Sequence, residues 1–335
     1  MKAWNKKHII NDNGEKVEAI LPFVISASRS TDIPAFYSRW FINRLEKGYI
    51  TWINPFNRKE QYVSFEETKI IVFWTKNPKP IIPHLKELDR KGIKYYFQYT
   101  LNDYEKEKLE PNVPKLDTRI ETFINLSNLI GKEKVIWRFD PLILSSSITI
   151  DNLISKIENI GNRVNQYTDK LVFSFADIES YKKVQSNLSK TNESYREFTQ
   201  SGIDEFSEKI VALNKLWNLS LSTCAEKVDL EKYNIEHNRC IDDELIYKIG
   251  KDDPKILDWL GLSNPMLSLF DDNYYNNNGK LKDKGQRKAC GCIVSKDIGM
   301  YNTCNHLCTY CYANHSENLV KQNLKKHNIN KQSII

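Results

Sequence analysis

Six short apolar runs, rich in β-branched and aromatic residues, recur along the chain: Phe23–Ala27, Ile70–Trp74, Tyr95–Tyr99, Val135–Phe139, Leu171–Phe175 and Leu219–Thr223. Each is continuous rather than alternating, which suits strands buried on both faces of a parallel sheet. Helical stripes lie between them. Ile81, Leu85 and Leu88 fall at i, i+4 and i+7, with Gly92 placed to end that helix. Leu153, Ile154, Ile157 and Ile160 form a second stripe behind a cap at Thr149 or Asp151. Phe206, Ile210, Leu213 and Trp217 form a third. Strand, helix, strand at this spacing is the βα repeat. It predicts an α/β fold: a (β/α) barrel, complete or partial, with its chemistry at the C-terminal ends of the strands.

No linker or internal repeat divides the 335 residues. The expectation is therefore one domain, 1–335, with a cysteine-bearing region at about 285–315. The stretch 271–284, DDNYYNNNGKLKDK, reads as an exposed loop, and the basic tail after Asn314 as a short helix ending in disorder. The N-terminus has no apolar signal-peptide core. No apolar run approaches the ~20 residues of a membrane span. A cytoplasmic protein without a membrane partner is expected. Lys+Arg exceed Asp+Glu by 49 − 43 = 6, a mild excess that a general richness in Lys, Asn and Ile partly explains.

In a reducing compartment, cysteines serve metals or catalysis more often than disulfides. None of the seven lies in the first 223 residues, and five fall between 290 and 311. Cys304, Cys308 and Cys311 form a C-x3-C-x2-C loop. Three thiolates on a short loop hold three irons of a [4Fe–4S] cube and leave the fourth iron open, whereas four-thiolate clusters usually carry electrons. The alternative is a zinc knuckle using His306 or His315, although zinc sites usually show paired C-x2-C arms. Cys224, Cys240, Cys290 and Cys292 remain. They match one complete four-thiolate site, either a second [4Fe–4S] cluster or an all-thiolate zinc site. The plainer reading makes Cys224 and Cys240 ordinary buried cysteines.

Several stretches resemble an uncharacterised family, the domain of unknown function numbered 1848. They are ISASRSTDIPAFY (25–37), FWTKNP (73–78), TCAE (223–226), RCIDDELI (239–246) and CGCIVSKDIGMYNTCNHLCTYCYAN (290–314). The triad, with Tyr310 before its third cysteine, resembles the signature of radical S-adenosylmethionine (SAM) proteins. The likeness to their spore photoproduct lyase-like branch is cyclic. YCYA (310–313) stands near the end, while STDIP (30–34), TKNP (75–78), YFQYTLND (96–103) and LEPNVPKLDTR (109–119) follow in order from the beginning. The resemblance implies a circularly permuted radical SAM barrel with its cluster loop near the C-terminus. It also implies a [4Fe–4S] cluster whose open iron chelates SAM, and an electron donor such as a flavodoxin or ferredoxin. It leaves the substrate open: a small molecule, a peptide or a nucleic acid. This departs from the branch in lacking Gly-Gly-Glu after its first internal strand.

In the permuted arrangement Ser28, Arg29, Ser30, Thr31 and Asp32 form the turn that would hold the methionine end of SAM. Asp32 would meet its ammonium and Arg29 its carboxylate. Asp32 before Ile33-Pro34 reads equally well as a helix cap. Lys76, Gln98, Thr100, Arg138 and Glu226 follow other strand ends. With Tyr310 they complete the candidate set: Arg29, Asp32, Lys76, Arg138 and Glu226 for catalysis, and the turn, Gln98, Thr100, Arg138 and Tyr310 for the cofactor. The rival functions are an iron–sulfur or zinc protein that binds nucleic acid through the basic run Lys280, Lys282, Lys284, Arg287 and Lys288, and a redox sensor without turnover. The bland reading of that run is a solvated loop.

Overall fold

The computed structural model describes residues 4–262 and 281–335. Most of the expected loop at 271–284, and Lys280 of the basic run, lie outside them. In chain order the strands are β1 (Asn5–Ile10), β2 (Lys16–Leu21), β3 (Val24–Ala27), β4 (Tyr49–Ile53), β5 (Glu60–Ser64), β6 (Ile70–Thr75), β7 (Lys94–Thr100), β8 (Val135–Leu142), β9 (Leu144–Ser145), β10 (Lys170–Phe175), β11 (Tyr195–Arg196), β12 (Ser220–Thr223), β13 (Glu236–His237) and β14 (Lys296–Asp297). All six apolar runs are among them. Eight strands make one sheet in the order β13-β12-β10-β8-β7-β6-β3-β14, and each neighbouring pair in it is parallel.

Side chains along a strand alternate between the two faces of its sheet, and here both faces are covered. Ile25, Ile71, Phe73, Phe97, Trp137 and Phe173 join one core. Val24, Ile70, Val72, Tyr96, Ile136 and Val172 join another, together with Cys240, Cys290 and Cys292. Double burial is why these strands read as unbroken apolar runs.

The helices are α1 (Ile33–Phe36), α2 (Ser38–Lys47), α3 (Leu85–Arg90), α4 (Leu116–Ile130), α5 (Ile150–Val164), α6 (Lys182–Leu188), α7 (Gln200–Asn214), α8 (Asp243–Gly250), α9 (Pro254–Leu260) and α10 (Glu317–Lys326). The three predicted stripes are α3, α5 and α7. Thr149, not Asp151, caps α5, its side chain accepting from Asn152 N. Among the described residues no helix is long and apolar enough to cross a membrane.

The α/β expectation is met by this large parallel sheet, which among the described residues is an open ladder with β13 and β14 at its edges. The segments flanking those edges still meet, because Ile293 N donates to Ile241 O at 3.1 Å. The β14 edge is built by the end of the chain. Lys296 and Asp297 pair in parallel with Ile25 and Ser26. The short helix expected in the tail after Asn314 begins at Glu317, where the Ser316 side chain accepts from Leu319 N.

Two features differ from the sequence reading. A second, four-stranded sheet, β1-β2-β5-β4, is built from two strands before β3 and two between β3 and β6. Three of its strands, β1, β2 and β5, carry charged, exposed residues (β1 is NKKHII, exposed almost throughout) and so lack the apolar run that marks a doubly buried strand; β4 (YITWI) is apolar and was not singled out. The tail is also not disordered. Thr51 N donates to Gln332 O at 2.9 Å, Trp40 Nε1 to Lys331 O at 2.9 Å and Asn43 Nδ2 to Ile329 O at 2.7 Å, and Ile334 is buried. Backbone carbonyls make these bonds, so the polar side chains of the tail give no sign of them.

Candidate functional site

A cavity of about 470 Å³ opens at the C-terminal ends of the large sheet, within the roughly 300–1,000 Å³ typical of ligand pockets. All seven cysteines line it, as do Ser28–Asp32, Lys76, Thr100, Arg138 and Glu226. Two distant parts of the sequence meet here. The cysteine loop docks on the turn after β3: Tyr312 OH donates to Arg29 O at 3.1 Å, Tyr37 OH to Thr303 O at 2.6 Å, and His306 Nε2 lies 2.8 Å from Asp32 Oδ2. Gly299 permits the approach, since a Cβ there would collide with the hydroxyls of Ser28 and Ser30. The expected neighbourhood of Cys304–Cys311 and Ser28–Asp32 is therefore observed.

The turn is internally braced. Ser28 Oγ accepts from Ser30 N at 3.0 Å and Thr31 N at 3.2 Å. Asp32 is the cap of α1: Oδ1 accepts from Ala35 N at 2.9 Å, and Oδ2 accepts from Lys76 N at 2.7 Å. With His306 also on Oδ2, Asp32 binds α1, the end of β6 and the cysteine loop together. Thr31 Oγ1 is buried with no hydrogen-bond partner among the described residues.

Behind the loop lies a buried polar network. Lys76 Nζ donates to Glu110 Oε1 at 2.7 Å and to Tyr310 OH at 2.9 Å. Tyr310 OH in turn donates to Glu110, and Asn102 Nδ2 reaches Glu110 Oε1 and Tyr310 OH, each at 3.1 Å. Arg119 Nη1 stands 3.8 Å from Glu110 Oε2. Burial alone would raise the Glu110 pKa, but Lys76 and Arg119 outweigh it and hold the carboxyl at about 2. Burial opposes the charge on Lys76, yet Glu110 and then Cys308 keep its pKa above the ordinary value. A fixed ammonium thus stands near Cys308. Glu110 and Asn102 were not singled out from sequence. Glu110 lies in the LEPNVP stretch, but nothing in that pattern points it at a tyrosine some 200 residues away.

Cys308 is buried, and Cys304 and Cys311 are half-buried. Desolvation pushes Cys304 up to about 12 and also raises Cys308 and Cys311, so a metal is what would hold them as thiolates. Among the described residues, no three ligating side chains are set around one point as a single ion requires. A cube gives each thiolate its own iron, so its ligands stand further apart than those of one ion. The donor set, the nearby ammonium and the unpartnered Thr31 hydroxyl fit an open-iron cluster.

Three candidates for the cofactor side, Arg29, Arg138 and Gln98, have their polar ends turned toward the other four cysteines. The Arg29 guanidinium lies 5.0 Å from the centre of the Trp74 ring, and its charge faces Cys292, Asp297, Cys240 and Cys290. Arg138 Nη1 donates to Gln98 Oε1 and Cys240 Sγ, each at 3.1 Å. Gln98 Nε2 donates to Cys240 O at 2.9 Å. Long side chains leave a strand end in directions that spacing does not encode. Thr100 lines the cavity from the end of β7. Glu226, mainly through burial, is raised to about 7 and accepts from Phe175 N at 2.9 Å. In the basic run, Arg287 pairs with Asp177 at 3.0 Å and Lys282 Nζ donates to Lys288 O at 3.0 Å, so two of its cations are engaged within the chain.

A family model described as Domain of unknown function (DUF1848) matches residues 24–313. That span takes in the large sheet, the Ser28–Asp32 turn and the cysteine loop. No curated protein and no solved structure matches the chain.

Proposed function

We propose, from the premise that the chain belongs to the DUF1848 family and that its chemistry must be read from its own site, that this protein is a radical SAM enzyme. Cys304, Cys308 and Cys311 would bind the [4Fe–4S] cluster. Ser30, Thr31 and the backbone of the Ser28–Asp32 turn would meet the methionine end of SAM. When bound and reduced, the pair supplies a 5′-deoxyadenosyl radical for hydrogen abstraction from a substrate. The support is spatial: a three-cysteine loop, too few thiols to fill a cube, shares one cavity with a strand-end turn that presents a hydroxyl with no hydrogen-bond partner among the described residues. The order of strands supports the permuted barrel as well. β14, the cysteine loop and α10 stand before β3 in space although they follow it in sequence.

The protein's own groups divide the work. Asp32 and His306 fix the loop on the turn. Lys76, held by Glu110 and Tyr310, sets a positive charge beside Cys308, where a cluster of net negative charge would be stabilised. The apolar lining around Ile143, Phe175 and Ile178 limits water, which a carbon radical requires. The redox-sensor alternative shares the cluster and lacks turnover.

Anaerobic reconstitution with iron and sulfide, followed by reduction, is expected to give the electron paramagnetic resonance signal of a reduced [4Fe–4S] cluster. Added SAM should change the part of that signal that depends on Cys308. A signal indifferent to saturating SAM would contradict an open iron in contact with the cofactor.

A further inference from the structure

The mechanism above leaves unused the most unusual feature of the cavity wall. Cys224 stands at the end of β12, Cys240 just beyond β13, and Cys290 and Cys292 ahead of β14, so the four thiols gather where the two open edges of the sheet come round to each other. Cys224 Sγ lies 3.3 Å from Cys240 Sγ. Cys240 also adjoins Cys292, and Cys292 adjoins Cys290. In a cytosolic-type thiol chemistry such a row has no reason to be assembled for packing, since a free cysteine is only a small hydrophobe.

The surroundings are built for sulfur anions. Three N–H donors aim at the sulfurs: Arg138 Nη1 to Cys240 Sγ at 3.1 Å, Asn238 Nδ2 to the same atom at 3.3 Å, and Ile241 N to Cys292 Sγ at 3.4 Å. A neutral thiol is a weak acceptor, whereas a metal-bound thiolate accepts such bonds well and is tuned by them. Arg29 gives the independent sign. Its terminal Nη2 is buried and has no hydrogen-bond partner among the described residues, although the group faces these cysteines. The nearby carboxylate of Asp297 does not relieve it, because Asp297 is engaged by Ser26 Oγ at 2.7 Å, Arg29 N at 2.9 Å and Gly299 N at 2.9 Å. A buried guanidinium left without an acceptor is costly.

We infer that Cys224, Cys240, Cys290 and Cys292 form a second metal centre, ligated by four thiolates, with Arg29 and Arg138 as its hydrogen-bonding counter-charges. The ligand chemistry is a four-iron cluster with no open position, in which each thiolate binds its own iron; a single zinc ion does not fit, because among the described residues no three ligating side chains stand around one point. It lines the same cavity as the triad, so a substrate lying there touches both walls. The inference stands apart from the SAM reading, since it uses other cysteines and needs no turnover.

The test uses the full chain carrying Cys304→Ala, Cys308→Ala and Cys311→Ala, purified anaerobically and reconstituted with iron and sulfide. Metal and sulfide analysis should find about four irons with about four sulfides per chain; zinc bound without sulfide overturns the cluster. Adding Cys240→Ser and Cys292→Ser should lower the content at least tenfold. A triple variant with less than a tenth of a centre per chain overturns the inference. Should the five-fold variant fail to fold, alkylation of the native protein decides. Protection of Cys224, Cys240, Cys290 and Cys292 that is lost on chelation supports the site, and alkylation unchanged by chelator overturns it. A native protein that never cleaves SAM, while the triple variant keeps its metal, refutes the proposed activity and leaves this site standing.

Discussion

Replacing Cys308 by Ala is expected to reduce SAM cleavage by more than about a hundredfold, because loss of even an outer partner of a metal ligand typically costs roughly 10–100-fold. Cys308 is the most strongly placed member of the triad. It is buried, it lies within the field of the Lys76 ammonium, and Thr309 N, next to it, donates to Leu109 O at 2.9 Å, fixing the loop against the segment that carries Glu110. The substitution removes one iron ligand and leaves Lys76 facing an uncharged wall. The measurement is 5′-deoxyadenosine formed per chain, read beside the circular dichroism of the variant. A folded Cys308→Ala protein with ordinary cleavage would remove the triad from the chemistry.

Replacing Glu110 by Gln should destabilise the fold by about 3–5 kcal/mol, the usual cost of leaving a buried cation without its partner. Lys76 and Arg119 both lose their anion, and both are buried beside it. The effect should depend on pH. The Glu110 carboxyl titrates at about 2 in the fold against 4.5 ordinarily. Its stabilisation is thus fully present above pH ~4.5 and is lost as pH falls toward ~2, a window equivalent to about 3 kcal/mol. Urea unfolding of both proteins between pH 3 and 7 checks this. Their stabilities should converge at the acid end, and a gap independent of pH would show that the carboxylate charge is not what the network uses.

The large sheet was legible because strands covered on both faces must be apolar at every position, and six such runs stand out from a polar chain. The triad stood out by its spacing, and the structure brings its three cysteines into one cavity with the Ser28–Asp32 turn. What the sequence concealed follows one physical rule. Interactions made by backbone groups, or by long side chains that swing away from their own strand, leave no periodic trace. The tail from Ile329 to Gln332 is held through its carbonyls, so its composition suggested disorder. Arg29 follows β3 and seemed destined for the SAM side, yet its guanidinium crosses Trp74 toward the other cysteines. Arg138 and Gln98 turn the same way. Asp32 was read equally well as cap or ligand. Its oxygens are engaged by Ala35, Lys76 and His306, which makes it the knot that ties the beginning of the chain to its end. Glu110, the anion under the cysteine loop, sits in a loop after β7 with no strand-end position to mark it.

That knot also explains why the cysteine loop works so far along the chain. β14 flanks β3 at the sheet edge, α10 follows the loop, and the last residues lie against α2 and β4. The site is therefore complete only when both ends of the chain are in place. The most direct measurement of the central claim is the anaerobic incubation of reconstituted, reduced wild-type protein with SAM, followed by separation of the products. The account predicts 5′-deoxyadenosine and methionine in equal amounts, formed even without substrate. SAM recovered intact from a protein that carries its cluster and binds SAM would contradict it.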